Sequence, residues 1–243
     1  MKKIKLGLFG GSGKMGQAIE QMLPQVNSKN ELVPFLFVGK KPSTLFSVSV
    51  QSLDQTEADV LRDVDVWIEF SSETGLLELL KKTETFKTPV VSGSTGLSEK
   101  TFSLLKTSAK KRPVFWASNM SPGLWAFRQA MKGLASVSHF DFAIEEVHHT
   151  QKKDRPSGTA KTLHRDLENV IGKKVSTPSS LRLGGVFGVH TLYAASSNEV
   201  ITMQHQALNR TVFAEGALMA ADWLAGRKNS YYTIDDIFIN SKK

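Results

Sequence analysis

Ile4-Lys-Leu-Gly-Leu-Phe-Gly-Gly-Ser-Gly-Lys-Met-Gly-Gln-Ala-Ile19 decides the fold. Ile4, Leu6 and Leu8 alternate with other residues, the period of a strand, whereas Met15, Ile19 and Met22 recur at helical spacing. Between them Gly10, Gly13 and Gly16 form a turn of pattern G-x-x-G-x-x-G. In doubly wound α/β folds such a strand–turn–helix unit rests a nucleotide pyrophosphate against backbone amides. The first glycine allows the tight turn, the second lets the backbone approach phosphate, and the third permits close helix packing. The spacing is not the more familiar G-x-G-x-x-G, and a plain flexible turn would look the same. The flanking strand and helix favour a coenzyme, with Gly10, Gly11, Ser12, Gly13, Lys14 and Met15 as candidate contacts.

Outward from this stretch, strands and helices alternate. Leu32–Val38 is a continuous apolar run of strand length, as expected for a strand buried on both faces. Val64–Phe70, Val90–Ser92 and Val114–Ala117 read as strands, and Glu73–Lys82 and Ser98–Lys111 as helices. This pattern predicts a Rossmann-type α/β domain, a parallel sheet with helices on both faces, over residues 1–120. After Asn119 the texture changes: a helix over about Gly123–Leu134, a strand over Phe140–His148, a helix from Thr159, and a hairpin of Thr191–Ala195 with Glu199–Gln206. That predicts a second, α+β domain with a mixed or antiparallel sheet over 121–210. A helix over Thr211–Leu224, stopping at Gly226, and Tyr231–Ile239 are expected to rejoin the first domain, so that about 211–243 belongs with it. No internal repeat or low-complexity tract is present.

Composition narrows the function classes. The 243 residues carry no cysteine, which excludes disulfides, thiolate catalysis and Cys-based metal sites, and fits a reducing compartment. No apolar run approaches membrane-spanning length, and Met1-Lys-Lys-Ile-Lys5 leads straight into a strand, so the reading is cytoplasmic with no membrane partner. The formal charge is +8, but lysines and arginines are scattered in short clusters without a stripe, which argues against nucleic acid. Small molecules bearing phosphate or carboxylate suit this balance.

At the end of the second strand an acidic side chain would bind a ribose 2′-hydroxyl and repel a 2′-phosphate. Phe37-Val-Gly-Lys-Lys41 has no carboxylate there, and Lys40 and Lys41 can neutralise a phosphate. The reading favours NADPH and leaves NADH open. Gly93-Ser-Thr-Gly96 and Ala117-Ser-Asn-Met120 follow strands on the same sheet edge, which makes Gly93, Ser94, Thr95, Ala117, Ser118, Asn119 and Met120 further candidates for the coenzyme.

Glu146-Val-His-His-Thr-Gln-Lys-Lys-Asp-Arg-Pro-Ser-Gly-Thr-Ala160 gathers a possible proton donor, a cation and an anion-binding turn. Ser157 and Gly158 lie where a helix begins, with free N–H groups and the positive end of its dipole. His148, His149, Lys152 and these amides suit a small ligand carrying carboxylates. Each feature also has an ordinary explanation: neighbouring histidines on a strand point to opposite faces, and Ser-Gly-Thr before a helix is commonly only a cap. No metal is expected, since His148-His149 lacks the helical i, i+4 spacing of zinc ligands and no third ligand is evident.

Taken together, Gly10–Gly16, Gly93–Thr95, Ala117–Met120, Glu146-x-His-His-x-x-Lys-x-Asp-x-Pro-Ser-Gly-Thr-Ala160, Arg182-x-Gly-x-x-x-Gly-x-His190 and Arg210-x-x-Phe-Ala-x-Gly216 resemble the dihydrodipicolinate reductase (4-hydroxy-tetrahydrodipicolinate reductase) family of lysine and diaminopimelate synthesis. The resemblance implies that His148 is the proton donor/acceptor and Lys152 a second proton donor. It implies that His149, Ser157, Gly158 and Thr159 bind the dicarboxylate, and that such enzymes are homotetramers assembled through the sheets of the second domain, with hinges that let the domains close. Thr150, Gln151, Gly185 and Val189 depart from the family pattern, and the stretch Ser176–Gly188 is short for it. Two rivals remain at this point: another NADPH-dependent reductase of imines or amino acids, and a non-catalytic NADPH-binding sensor on the same scaffold.

Overall fold

The computed structural model describes residues 1–39 and 48–239. The chain divides into two compact units, Met1–Met120 with Phe213–Lys243, and Ser121–Val212. In chain order the first unit begins with β1 (Lys3–Phe9), α1 (Lys14–Met22), β2 (Glu31–Val38), β3 (Val50–Gln51), α2 (Ala58–Arg62), β4 (Val66–Glu69), α3 (Glu73–Lys82), β5 (Val90–Ser92), α4 (Glu99–Ala109) and β6 (Val114–Trp116). The second unit contains α5 (Pro122–Met131), β7 (Asp141–His148), α6 (Gly158–Ile171), β8 (Ser179–Arg182), β9 (Gly188–Ala195) and β10 (Val200–Ala207). The chain returns to the first unit through α7 (Thr211–Leu224), β11 (Tyr231–Tyr232) and α8 (Ile234–Ile239).

In the first unit seven strands form one sheet in the order β11-β6-β5-β4-β1-β2-β3, and every pairing is parallel. Successive residues of the inner strands face opposite sides. Val66, Ile68, Val91, Phe115 and Phe37 pack with Ala18 and Ile19 of α1 and with Ala217, Leu218, Ala221 and Leu224 of α7. Trp67, Val90, Val114, Leu36 and Val38 pack on the other side with Leu76 and Leu79 of α3 and Leu105 and Ala109 of α4. Continuous apolar strands are therefore required, because both faces are covered. Burial of each large side chain such as Ile68 contributes about 1.5–3 kcal/mol.

The strand order reverses between β1 and β4, the position where doubly wound sheets bind ligands beyond the carboxyl ends of their strands. Here the glycine turn is fixed by packing. Gly10 has φ +86, and its N–H and that of Gly11 both donate to the Val38 carbonyl. At Gly16 a Cβ would come within 1.9 Å of the Gly11 carbonyl oxygen, so only glycine lets α1 start this close to the turn.

The four-stranded sheet of the second unit runs β10-β9-β7-β8, with β10–β9 and β9–β7 antiparallel and β7–β8 parallel. One face is covered by α5 and α6, whose Leu124, Phe127, Met131, Leu163, Leu167 and Ile171 pack on Ile144, Leu192 and Ala194. A hydrogen bond of 2.6 Å from Arg128 to Asp166 joins the two helices.

The expected fold class holds, with differences in detail. The helix expected over Gly123–Leu134 ends at Met131 and continues as 3-10 turns over Lys132–Val137. Gly133 weakens an α-helix there, and tightening into 3-10 geometry is common at helix ends. The edge strands β3 and β8 were not expected, since Ser179-Ser-Leu-Arg182 shows no apolar alternation. β8 is specified by its pairing with β7. Among the described residues no helix is long and apolar enough to cross a membrane.

Candidate active site

In the second unit, strand periodicity sets the chemistry. Ile144, Glu146 and His148 face the helices, and the antiparallel register sets His190 of β9 opposite Glu146 and His205 of β10 opposite His190. Apolar packing thus gives way, toward the end of β7, to a row of a carboxylate and imidazoles in which Glu146, His148 and His190 are buried and His205 is half-buried.

Glu146 is fully buried and fully engaged. Its Oε2 is hydrogen bonded to Nδ1 of His148, and its Oε1 accepts from Arg182 Nη2 at 2.9 Å and from the Ser157 amide at 3.3 Å. Burial acts to raise this carboxyl, but Arg182 and His148 override it and hold it at about 2. A buried anion needs such partners, since an unpaired one costs several kcal/mol. Burial pushes the His148 imidazole below its usual range. Glu146 opposes that shift, while the positive Lys152 and Arg182 add to it.

With Nδ1 committed to Glu146, His148 has Nε2 left for a ligand. A Cβ at Gly188 would stand 3.1 Å from that nitrogen, so the glycine keeps the space beside it clear. His190 meets His148 edge to face, with ring centroids 5.2 Å apart. Burial and then the neighbouring His148 drive His190 down to about 3, so it is neutral at physiological pH. Its Nε2 lies 3.3 Å from Ser157 Oγ.

Ser157 is the N-cap of α6. Its Oγ accepts from the Ala160 amide at 3.1 Å, and the side chain is almost wholly buried. Gly158 is exposed, with nothing within 4 Å of a Cβ built on it, and Thr159 is half-buried in the first turn. Lys152 pairs with Asp154, Nζ to Oδ1 at 2.9 Å. The loop carrying both is tied to β8 by Arg182, which donates to the Lys152 carbonyl at 3.2 Å and the Asp154 carbonyl at 2.6 Å. His149 stands apart from the buried row, half-buried at the start of the loop, where its carbonyl accepts from the Lys152 amide at 3.1 Å. The structure therefore brings His148, Ser157, Lys152 and the start of α6 into one neighbourhood around Glu146 and Arg182. His149 belongs to the loop and not to that core.

In the first unit, the loops after β1, β4, β5 and β6 share one sheet edge. Gly10, Gly11, Ser12, Gly13, Lys14 and Met15 form the turn into α1, and Gly13 and Lys14 at its mouth are exposed. Gly13 caps α1 without any side-chain hydrogen bond to its first turn. That is an amide cradle without a competing side chain, and it fits a phosphate. A chain of backbone bonds joins the neighbouring loops: Phe70 N to Phe9 O, Gly93 N to Glu69 O, and Ala117 N to Ser92 O.

Glu69 fastens these loops. Fully buried, it accepts from the Ser71 amide and hydroxyl at 2.6 Å, from Ser92 Oγ at 2.6 Å and from Ser94 Oγ at 2.8 Å. Thr95 and Ser118 are exposed, and Met120 is buried where α7 lies so close that a Cβ on Gly216 would meet the Met120 carbonyl oxygen at 1.7 Å. Lys40 and Lys41 lie outside the described residues.

Sequence reasoning assigned no role to Glu146, Arg182, His190, Asp154 or Glu69. For Glu146 the signal was present, because strand alternation puts it on the same face as His148. For Arg182 the segment Arg182–His190 marked the residue but not its partner, and for Glu69 no signal was present, because the partners come from distant parts of the chain.

A nucleotide-type glycine turn on an all-parallel sheet, joined in one chain to a second unit bearing a buried Glu–His pair beside a helix start, defines a dinucleotide-dependent oxidoreductase of two domains. Comparison with known proteins narrows this class. Residues 4–120 match the family described as dihydrodipicolinate reductase, N-terminus, and residues 123–238 match dihydrodipicolinate reductase, C-terminus. The chain belongs to the dihydrodipicolinate reductase family. It is 47% identical over 243 residues, all of both chains, to the 4-hydroxy-tetrahydrodipicolinate reductase of Bdellovibrio bacteriovorus. It is 34% identical over 259 residues, 98% of each chain, to that of Campylobacter jejuni subsp. doylei. The fold matches the dipicolinate-bound dihydrodipicolinate reductase of Paenisporosarcina sp. TG-14 with a TM-score of 0.74 at 20% identity, covering 96% of this chain and 98% of that one.

Proposed function

We propose that this protein reduces 4-hydroxy-tetrahydrodipicolinate to tetrahydrodipicolinate in lysine and diaminopimelate biosynthesis, with His148 and Lys152 handling the proton. The observation that carries this reading is the buried Glu146–His148 pair next to Lys152 and the capped start of α6. The relatives named for this reaction match along the whole chain.

A bound nicotinamide supplies hydride to one carbon of the unsaturated ring. The substrate hydroxyl leaves as water together with a hydrogen of the adjacent ring carbon, which creates a ring double bond, and the protein must deliver a proton to the carbon of that bond that does not receive the hydride. Glu146 fixes the tautomer and direction of His148, so Nε2 is the atom that exchanges the proton. Burial lowers the proton affinity of this imidazole in the free protein, and a dicarboxylate arriving beside it raises it. Lys152 holds one carboxylate and can pass a proton in turn. Ser157, Gly158 and Thr159 offer the helix start to the ring's carboxylates, and His149 contributes from the loop. The Paenisporosarcina enzyme was solved with dipicolinate bound, and a flat ring dicarboxylate of that kind suits these groups.

The glycine turn, with Gly93, Ser94, Thr95, Ala117, Ser118, Asn119 and Met120, is assigned to the coenzyme. NADPH is the preferred form, because Val38-Gly39 ends β2 without a carboxylate and Lys40 and Lys41 follow. The unit of residues 1–120 with about 211–243 is assigned to the coenzyme, and that of 121–210 to substrate and assembly. A homotetramer would use the face of the four-stranded sheet that α5 and α6 leave uncovered, where Leu181 and Val200 are exposed. A biosynthetic reductase of this kind belongs in the cytoplasm. The reading is tested by following NADPH absorbance while the upstream synthase generates substrate in place. Oxidation that depends on the synthase supports it, and its absence defeats it.

A further inference from the structure

The ion pair between Lys152 and Asp154 sits where the proposed function needs a carboxylate to go. Lys152 is the cation assigned to substrate, yet its ammonium already holds an oxygen of Asp154 at 2.9 Å. The Asp154 carboxyl also feels the start of α6. Burial acts to raise it, but Lys152 and the amides of Asp154 and Gly158 outweigh this and hold it below its ordinary range. One side chain thus makes both interactions expected of a substrate carboxylate: an ammonium partner and the Gly158 amide where α6 begins.

The surroundings let that side chain leave cheaply. The Asp154 side chain is 49% exposed and that of Lys152 only 24%, so the carboxylate can turn into water while the ammonium stays in place. Arg182 holds the main-chain carbonyls of both residues, at 3.2 Å and 2.6 Å, and β8 anchors the arginine. Displacement therefore needs a side-chain rotation and no movement of the loop. A salt bridge with this much exposure is weak.

We propose that Asp154 stands in for one substrate carboxylate in the free protein, occupying Lys152 until a ring dicarboxylate displaces it, and thereby sets the substrate affinity. The inference rests on the functional reading above. It makes Asp154 an affinity-setting residue of the same site and not a member of the proton path. The free protein avoids an unpaired ammonium, and the substrate must compete with an internal carboxylate, which lowers its apparent affinity by the fraction of molecules in which the pair is closed.

The test is calorimetric titration of dipicolinate into the wild type, Asp154→Asn and Asp154→Ala, with thermal melting of each to confirm folding. Removing the competing charge is expected to tighten dipicolinate about two- to fivefold in both variants, the range set by an exposed ion pair. A residue with a purely structural role would not give tighter binding when replaced, so unchanged or weaker binding in the folded variants overturns the proposal. The synthase-coupled assay on the wild type separates the two failures. Without turnover the functional reading falls and takes this inference with it, whereas turnover with no tightening removes the inference alone.

Discussion

Glu146 and His148 lie two residues apart on β7, face the same side of the sheet, and share a buried hydrogen bond between Oε2 and Nδ1. Arg182 and the Ser157 amide hold the other carboxylate oxygen. Glu146→Gln should therefore lower kcat about tenfold or more, as loss of an orienting partner commonly does. Glu146 also raises the proton affinity of His148, so its removal should move the alkaline limb of the kcat/KM profile, where the proton donor is lost, to lower pH. A profile that keeps its position would leave Glu146 with a structural role only.

The turn into α1 has no room for a side chain at its last glycine. In Gly16→Ala the new Cβ would lie 1.9 Å from the Gly11 carbonyl oxygen, so the turn must open. Coenzyme affinity, read by NADPH fluorescence, should fall by at least about tenfold, equivalent to roughly 1.4 kcal/mol. Dipicolinate binding, assigned to the second unit under the proposed function, should survive, which distinguishes this outcome from general unfolding.

The choice of coenzyme is expected to lie in Lys40 and Lys41. Replacing both with alanine should weaken NADPH much more than NADH, because only the former carries the 2′-phosphate. Equal losses measured by titration would remove these lysines from the choice.

Stability should depend on pH through the buried histidines. His190 is held at about 3, against 6.5 for the free side chain, so the unfolded chain takes up a proton that the folded one refuses. Stability from this group is complete above pH 6.5 and is lost as pH falls from there toward 3, by up to about 1.4 kcal/mol per pH unit. The carboxyl of Glu146, lowered from 4.5 to about 2, contributes only below pH 4.5. Between pH 6.5 and 4.5, denaturant melts of His190→Asn should therefore show a flatter dependence than the wild type. Parallel curves would mean that His190 is protonated inside the fold.

Much of this structure was legible in the sequence because local periodicity and fold agree. The alternation of Ile4, Leu6 and Leu8, the apolar run ending at Val38 and the helix over Thr211–Leu224 each satisfy a two-faced parallel sheet by themselves. Ser157 could be read as a cap for the same reason, since its partner Ala160 is three residues away. What stayed hidden depends on distant pairing. Ser179–Arg182 becomes a strand only beside β7, and Arg182 reaches Glu146 across 36 positions of sequence. Glu69 resembles any acidic residue at the end of a strand until Ser92 and Ser94 come to meet it.

The most direct test of the account compares two quantities in His148→Gln: kcat for NADPH-driven reduction, and the dissociation constant for dipicolinate. If Nε2 exchanges the proton, kcat falls about 100-fold or more, as loss of a general acid should, while dipicolinate affinity changes by less than about threefold. A variant that turns over at close to the wild-type rate, or one whose loss of rate is matched by loss of dipicolinate binding, would contradict it.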